Sequence, residues 1–157
     1  MIAPSLKLAL CLSLLAVLPT VSSCAPRGGV PAANPTAIMP TSKANAIDYI
    51  EIPSHDPVLS KTFFVALFGW KFTDYGPDYT SFDDGRLSGG FFRSPIVSAT
   101  ASGGTLVVFY SPDLAGIRDR ALKLGATVTR DIYDFPGGRR FHFTEPGGSE
   151  LAIWSEK

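Results

Sequence analysis

The sequence predicts an α+β domain built from two tandem β-α-β-β-β units, because one pattern occurs twice along the chain. In each copy a strand leads to an Asp that begins a helix, and a Gly ends that helix. Asp56 and Asp113 begin the two helices 57 residues apart, and Gly69 and Gly125 end them 56 residues apart. Agreement at both helix ends is what an internal duplication produces.

Length and composition indicate one folded domain with a hydrophobic core. The chain has 157 residues, of which 45% are hydrophobic and 11% aromatic, and these values are typical of a globular protein. Its 14 basic and 14 acidic residues balance, and the basic ones are scattered along the chain. Nucleic-acid binding usually needs a basic stripe along one surface, so we expect no nucleic-acid partner.

The first 23 residues resemble a bacterial lipoprotein signal peptide. Residues 8–18 form an apolar run after Lys7, which is too short to span a bilayer but suits the core of an export signal. Val21, Ser22 and Ser23 then precede Cys24, and this order resembles the lipobox, in which the Cys is lipidated and becomes the mature N-terminus. The alternative is an ordinary secretory signal with an incidental Cys.

Residues 24–45 are expected to be the lipidated Cys24 followed by a flexible Pro/Ala-rich spacer. Four prolines interrupt this stretch, and they disfavour helix formation. Cys11 lies in the segment that would be removed, so the mature chain would have one thiol and no disulfide. Ala25 follows the Cys, where an Asp would indicate retention at the inner membrane. We therefore expect a lipid-anchored, extracytoplasmic protein of the cell envelope, at the outer membrane if the cell has one.

The folded domain is predicted to occupy residues 46–157, and its first unit begins with a strand that contains Ile47, Ile50 and Ile52. Asp56 and Pro57 form a strong helix start. An apolar stripe of Leu59, Phe63 and Leu67 then has helical spacing. Turn-forming residues separate three further predicted strands, at Trp70–Tyr75, Tyr79–Asp83 and Gly89–Arg93.

The second unit repeats this order after a linker rich in Ser, Ala and Gly. Its first strand is predicted at Thr105–Tyr110 and its helix at Asp113–Leu124, with three further strands near 126–133, 139–145 and 149–155. The apolar stripe of this helix is predicted to be Leu114, Ile117, Ala121 and Leu124.

Period-two alternation predicts which strand residues lie beneath the helices. The predicted helix-facing residues are Ile50, Ile52, Val107, Phe109, Leu151 and Ile153. The opposite face should carry Tyr49, Glu51, Leu106, Val108, Tyr110, Glu150, Ala152 and Trp154.

The repeat, together with the phrases IDYIEIPSHD, TFFVALFGWKF and FPGGRRFHFTEPGGSELAIW, resembles the vicinal oxygen chelate superfamily. That superfamily includes glyoxalases, bleomycin-resistance proteins and extradiol dioxygenases, and the resemblance covers about residues 46–156. It implies the glyoxalase-like fold, in which two β-α-β-β-β units pair their sheets into a cup. Many members hold a divalent metal on the concave face of that cup.

The usual metal-ligand positions of the superfamily carry unsuitable residues in this chain. The first-strand position, commonly His, falls on Tyr49 in the first unit and on Leu106 in the second. The usual last-strand Glu falls on Ala152, and the equivalent stretch of the first unit is Gly89-Gly90-Phe91. A divalent site needs three or four N, O or S donors. We therefore expect no cofactor and no bound metal.

Two residues are candidate catalytic groups. Glu51 is predicted to point into the cup, where burial could turn it into a general base; pairing with an Arg or with backbone donors is the structural alternative. His142 shares a strand face with Arg140, and its alternative is a structural, hydrogen-bonded role.

Four other residues are candidate ligand-binding groups. Tyr49, Tyr110 and Trp154 would line the cup and suit a planar or apolar small molecule, although core packing or a dimer contact would explain them as well. Arg140 belongs to the segment 134–140, which contains two Gly and two Arg and is either a lid that recognises an anion or an exposed turn.

The expected function is binding of a small organic molecule in an aromatic cup, without metal, by a membrane-tethered protein. The alternatives are a lyase or isomerase in which Glu51 moves a proton, and a homodimeric interaction module without a ligand. A cavity with convergent Glu51, His142 and Arg140 would favour the enzyme, a wholly aromatic cavity the binder, and a filled cavity the interaction module.

Overall fold

The computed structural model describes residues 42–156, so the predicted signal peptide, Cys24 and almost all of the spacer lie outside the described residues. The first unit contains β1 (Tyr49–Ser54), α1 (Pro57–Phe68), β2 (Lys71–Asp74), β3 (Tyr79–Asp83) and β4 (Ser88–Arg93). The second unit contains β5 (Val108–Tyr110), α2 (Leu114–Lys123), β6 (Thr127–Phe135), β7 (Gly138–Thr144) and β8 (Glu150–Ser155). Between residues 42 and 156 no helix has the length and apolar character needed to cross a membrane.

The strands form two four-stranded mixed sheets with the same topology, which confirms the predicted α+β duplication. The strand order is β1-β4-β3-β2 in the first sheet and β5-β8-β7-β6 in the second. In each sheet the first strand pairs in parallel with the last, and the other pairs are antiparallel. Within the described part of the chain, no strand of one sheet pairs with a strand of the other.

Both helices begin and end where the repeat predicts. The Asp56 carboxylate accepts a hydrogen bond from the Val58 N–H at 3.0 Å, and the Asp113 carboxylate accepts one from the Gly116 N–H at 2.9 Å. These bonds satisfy N–H groups that a helix start leaves free. Gly69 has φ of 74° and takes up the left-handed conformation that ends many helices, since a residue without Cβ adopts it without strain.

A single hydrophobic core joins the two units through α1. The ring of Phe63 lies 6.0 Å from that of Phe143 in β7, and the ring of Phe64 lies 6.0 Å from that of Phe109 in β5. Helix α1 therefore packs against both sheets. Ile52, Leu151 and Ile153 are buried, and the less deeply buried Ile50, Val107 and Phe109 pack against the same core. The predicted helix-facing set is confirmed.

The apolar stripe of each helix differs from the prediction at one residue. Leu59 is about half exposed, whereas Ser60 and Phe64 are fully buried. The buried face of α1 passes through Ser60 because its hydroxyl has a buried partner in the second unit, the Glu145 carboxylate. In α2, Leu124 is exposed because it caps the helix end rather than facing the sheet.

Several strand ends differ from the prediction, and β1 starts at Tyr49 without the exposed Ile47. β5 starts at Val108 instead of Thr105 and pairs only with β8. β2 excludes Trp70, whose ring stacks in the core on those of Phe64 at 4.7 Å and Phe82 at 4.6 Å. β6 continues as far as Phe135.

A buried polar cluster also connects the first unit to the second through hydrogen bonds. Glu145 is 1% exposed and accepts hydrogen bonds from the Ser60 hydroxyl at 3.0 Å, the Gly147 N–H at 2.7 Å and the Ser149 N–H at 3.2 Å. Ser54 also bonds to Ser60, at 2.8 Å. Burial raises the pKa of Glu145, although the hydrogen bonds from Gly147, Ser149 and Ser60 oppose that effect.

Candidate functional site

Each sheet has one face covered by the helices and one helix-free face, and the candidate residues lie on the helix-free faces. Tyr49 and Glu51 lie on the helix-free face of the first sheet, on β1. Tyr110, Arg140, His142 and Trp154 lie on that of the second sheet, on β5, β7 and β8. Among residues 42–156, no side-chain hydrogen bond, ion pair or aromatic contact connects the two groups. Within this part of the chain, Glu51 therefore makes no direct contact with His142 or Arg140.

On the first sheet, Tyr79 connects Glu51 to Tyr49. The Tyr79 hydroxyl donates to Glu51 Oε1 at 2.9 Å and lies 2.6 Å from the Tyr49 hydroxyl. Its ring crosses β4 above Gly90, where a Cβ would overlap it. Burial, followed by the hydrogen bonds to Tyr49 and Glu51, raises the pKa of Tyr79 well above its ordinary value. Glu51 itself is exposed.

The second sheet carries a cavity of about 270 Å³ on its helix-free face. The ring of Phe135 lies 6.2 Å from that of Trp154 in an edge-to-face arrangement, and the Arg140 guanidinium carbon lies 5.0 Å from the centre of the Phe135 ring. Tyr110 contacts the indole of Trp154, with ring centroids 5.2 Å apart. The lining is therefore mainly apolar, with one cationic group. Its residues are Val108, Phe135, Gly137, Arg140 and Trp154.

A chain of hydrogen bonds runs from this cavity into the sheet. Arg140 Nε donates to the Tyr133 hydroxyl, which lies 3.0 Å from His142 Nε2. The other ring nitrogen of His142, Nδ1, lies 3.4 Å from Glu150 Oε1. His142 is buried, whereas Tyr133, Arg140 and Glu150 are half-buried. Three titratable groups and a guanidinium thus form one polar network beside the cavity.

Glu150 is held as a carboxylate by surrounding donors. Its Oε2 accepts from both the N–H and the hydroxyl of Thr100 at 2.7 Å, and its Oε1 accepts from the Thr129 hydroxyl at 3.1 Å. Burial alone would raise the pKa of Glu150, but the hydrogen bonds from Thr100, Thr129 and His142 outweigh it, so the pKa is lowered.

No sequence pattern singled out Tyr133 and Phe135, and β6, which carries them, is irregular. Arg130 pairs with His142 and Tyr133 pairs with Arg140, so three steps along β6 oppose two along β7. Such a bulge turns the residues after it to the opposite face and places Tyr133 beside Arg130, whose guanidinium carbon lies 3.4 Å from the tyrosine ring centre. The aromatic residues of β6 were visible in the sequence, but the bulge was not.

Segment 134–140 is a hairpin turn between paired strands. Asp134 pairs with Arg139 and Phe135 with Gly138, which leaves only residues 136 and 137 outside the ladder. An exposed ion pair of 3.4 Å joins Arg139 to Asp134. Of the two sequence interpretations, the structure supports the turn, and only Arg140 of the two arginines faces the cavity.

The residues present do not fit the divalent metal that the superfamily often holds. Among the described residues, no group of three His, Cys, Asp or Glu side chains lies close enough to bind one. The His142–Glu150 pair supplies two donors, and both are already engaged by Tyr133, Thr100 and Thr129. Ala152, at the usual glutamate position, is fully buried.

A second cavity of about 320 Å³ lies between the start of α1 and the β2–β3 turn. Its charged groups, Lys61 and Asp74, are 2.5 Å apart, and the hydrogen bond from Lys61 lowers the pKa of Asp74. These two charges neutralise one another. This cavity therefore gives a ligand weaker electrostatic attraction than the cavity beside Arg140.

Comparison with known proteins agrees with this fold. A tandem β-α-β-β-β domain with open sheet faces defines the glyoxalase-like class. The model of the glyoxalase/bleomycin resistance protein/dioxygenase superfamily matches residues 46–153, so the chain belongs to that superfamily. The predicted family is thereby confirmed. None of the curated proteins compared matches the chain.

Solved structures show the same fold at low sequence identity. A glyoxalase/bleomycin resistance protein/dioxygenase family enzyme from Burkholderia phytofirmans PsJN is 17% identical, with a TM-score of 0.59 over 71% of this chain and 100% of that one. The fosfomycin resistance protein FosX from Mesorhizobium loti is 13% identical, with a TM-score of 0.58 over 73% and 95%. Lactoylglutathione lyase from Agrobacterium tumefaciens is 18% identical, with a TM-score of 0.55 over 73% and 96%.

Proposed function

We propose that this protein binds a small, planar organic molecule on the helix-free face of its second sheet, without a metal, while a lipid on Cys24 tethers it to the membrane. The observation that carries the proposal is the cavity lined by Phe135, Trp154 and Arg140. Binding is the primary function, as the apolar lining favours.

The size of the cavity limits the ligand. Pockets for drug-sized ligands span roughly 300 to 1,000 Å³, and this one measures about 270 Å³. A molecule with one ring is therefore the best match. The rings of Phe135 and Trp154 would pack against its faces and edge.

Arg140 gives the ligand a polar end. Its Nε is used by Tyr133, and within residues 42–156 its other guanidinium nitrogens have no hydrogen-bond partner. Those N–H groups can donate to a carboxylate or carbonyl oxygen, and a carboxylate suits the planar guanidinium fork best. We therefore place one-ring carboxylates first among ligand classes.

The two tryptophans allow a direct test of this site. Trp154 lines the cavity, whereas Trp70 packs into the aromatic core. Titration with a panel of one-ring carboxylates and their amides should shift the Trp154 indole N–H resonance in a saturable way and leave that of Trp70 in place. Arg140→Leu should weaken carboxylate binding about tenfold or more, since a charge-assisted hydrogen bond contributes about 1.5 to 3 kcal/mol. A Trp154 signal unchanged by the whole panel would contradict the proposal.

The alternative function is a lyase or isomerase in which Glu51 moves a proton. The hydrogen bond from Tyr79 to Glu51 Oε1 orients this carboxylate on an open face. Arg140 and His142 lie on the other sheet, however, so Glu51 would act with Tyr49 and Tyr79 alone. Loss of turnover in Glu51→Gln, with turnover retained in His142→Gln, would favour this alternative.

The other alternative is a homodimeric module that has no ligand. Large side chains on the helix-free faces are substantially exposed, including Tyr49, Val108 and Tyr110, and a second copy would bury them. Native mass spectrometry would distinguish an empty dimer from a protein that carries a ligand.

A further inference from the structure

The network of Arg140, Tyr133, His142 and Glu150 has only one consistent arrangement of hydrogens when His142 is neutral. Arginine can only donate, so the Tyr133 oxygen accepts from Arg140 Nε. The Glu150 carboxylate can only accept, so His142 Nδ1 carries the hydrogen that faces it. His142 Nε2 is then the acceptor for the Tyr133 hydroxyl.

Tyr133 does not line the cavity itself, but its hydroxyl accepts a hydrogen bond from Arg140, which does. We propose that Tyr133 is a proton-transfer residue, oriented by His142 and Glu150, that serves an oxygen atom of a ligand bound to Arg140. A carboxylate, an imidazole and a hydroxyl in series is the general arrangement that activates a hydroxyl in enzymes. The distance of 3.4 Å between His142 and Glu150 is long, as such contacts often are before a ligand binds. The proposal rests on the proposed function only for the presence of a ligand in this cavity.

The charges around Tyr133 support this role. The guanidinium carbons of Arg130 and Arg140 lie 3.4 Å and 5.2 Å from the centre of its ring. Two cations this close stabilise the negative charge that develops on the tyrosine oxygen while a proton moves. Neither Tyr49 nor Tyr79 on the first sheet has such a contact among the described residues.

The proton transfer balances without any oxidant or reductant. When His142 is protonated, Nε2 becomes a donor, so the Tyr133 hydroxyl is released to donate elsewhere. The Tyr133 proton then passes to the ligand oxygen while the Nε2 proton of His142 passes to the Tyr133 oxygen. An O–H bond forms on the ligand, an N–H bond of His142 breaks, and the tyrosine hydroxyl is restored. The reverse step removes a proton from the ligand.

This chemistry fits a small aromatic or unsaturated compound with a carbonyl or enolate oxygen. Arg140 would hold the oxygen, and the apolar walls would pack against the ring. Keto–enol interconversion is the reaction class that such a relay supports, since it requires one proton to be delivered to oxygen or removed from it.

Benzenesulfonyl fluoride tests the relay without knowledge of the natural ligand. In this reaction the Tyr133 oxygen forms a bond to sulfur, the S–F bond breaks and fluoride leaves, and the hydroxyl proton passes to His142 Nε2. The chain contains five tyrosines, so peptide mapping of the full-length protein compares the labelling of Tyr133 with internal controls. Tyr75 is 66% and Tyr110 50% exposed, whereas Tyr133 is half-buried.

We expect Tyr133 to be labelled about tenfold faster or more than Tyr75 and Tyr110, because a positioned base typically contributes at least that factor. Labelling in the order of exposure, with Tyr75 fastest, would overturn the proposal. His142→Gln should reduce the Tyr133 rate to that of Tyr75, and Glu150→Gln should reduce it in part. Circular dichroism would verify that these variants fold.

The labelling and the indole resonance test the two proposals separately. Fast Tyr133 labelling without any Trp154 response would refute the ligand proposal alone.

Discussion

Glu145 and Glu150 lie at the two ends of one turn, yet their surroundings shift their pKa values in opposite directions. Burial raises the pKa of Glu145, whereas hydrogen bonds from Thr100, Thr129 and His142 outweigh burial at Glu150 and lower its pKa. The ordinary value for both is 4.5. The two carboxyl groups must therefore contribute to stability in different pH ranges.

The direction of each effect follows from linkage. A raised native pKa gives Glu145 a contribution that is fully present below pH 4.5 and is lost as the pH rises through the native pKa. A lowered native pKa gives Glu150 a contribution that is present above pH 4.5 and is lost as the pH falls through the native pKa. Urea unfolding across this range should show that the wild-type advantage over Glu145→Gln shrinks at higher pH, and the advantage over Glu150→Gln at lower pH. Equal slopes for the two variants would contradict this assignment.

Neighbouring residues of β1 should respond very differently to substitution. Ile52 is 3% exposed and lies in the core, so Ile52→Ala should lower the free energy of unfolding by about 2 to 4 kcal/mol through the cavity it leaves. Glu51 is exposed, so Glu51→Gln should change it by less than about 1 kcal/mol. A loss of several kcal/mol in Glu51→Gln would show that the Tyr79–Glu51 contact is structural and would weaken Glu51 as a base.

Single-residue orientation was predictable wherever a strand is regular. Alternation correctly placed Ile52 toward the helices and Glu51 away from them, because a strand turns successive side chains to opposite faces. Alternation does not extend through β6, where the register shifts before Tyr133. Helical spacing did not include Ser60 in the stripe of α1, because its partner Glu145 lies in the other unit, and no local pattern reports a contact that distant.

At the scale of elements, helix α1 depends on the N-cap residue that precedes it. Asp56 accepts the Val58 N–H, and Pro57 follows it at the first helical position. Asp56→Ala should therefore lower the free energy of unfolding by about 1 kcal/mol. Asp56→Asn is the matched control, because its side-chain oxygen caps a helix nearly as well. An equal loss in both variants would show that the charge of Asp56, rather than its hydrogen bond to Val58, matters.

Element order could be predicted because each boundary has its own chemistry. Asp at helix starts, Gly at helix ends and Gly-rich turns between strands occur in both units, and the structure follows them. Strand ends were less predictable, since pairing rather than composition sets them. Thr105 falls outside β5, because the pairing with β8 begins only at Val108.

At the scale of the whole molecule, the first prediction concerns location. Cys24→Ser should release the protein from the membrane fraction, because the lipid anchor would require the cysteine thiol. The tether would be contradicted if the Cys24→Ser variant stays in the membrane fraction and the wild-type protein carries no acyl chain. Fractionation together with the intact mass of the wild-type protein gives both results.

The overall fold could be predicted from the duplication and the family resemblance, and the candidate site only in part. The candidate residues lie on the helix-free faces as expected, but they divide between two sheets. The placement of the two sheets could not be predicted, because it depends on long-range contacts. Helix α1 packs against both sheets through rings such as Phe63 and Phe64. The cavity beside Arg140 also depends on the bulge in β6, which no sequence pattern indicated.

A native mass spectrum of the protein isolated from its host is the most direct test of the central claim, that a metal-independent cavity on the second sheet binds a small organic molecule. We predict a bound species with the mass of a one-ring organic compound, no stoichiometric metal, and loss of that species in Arg140→Leu. A stoichiometric divalent metal whose removal by a chelator also removes the ligand would contradict the claim.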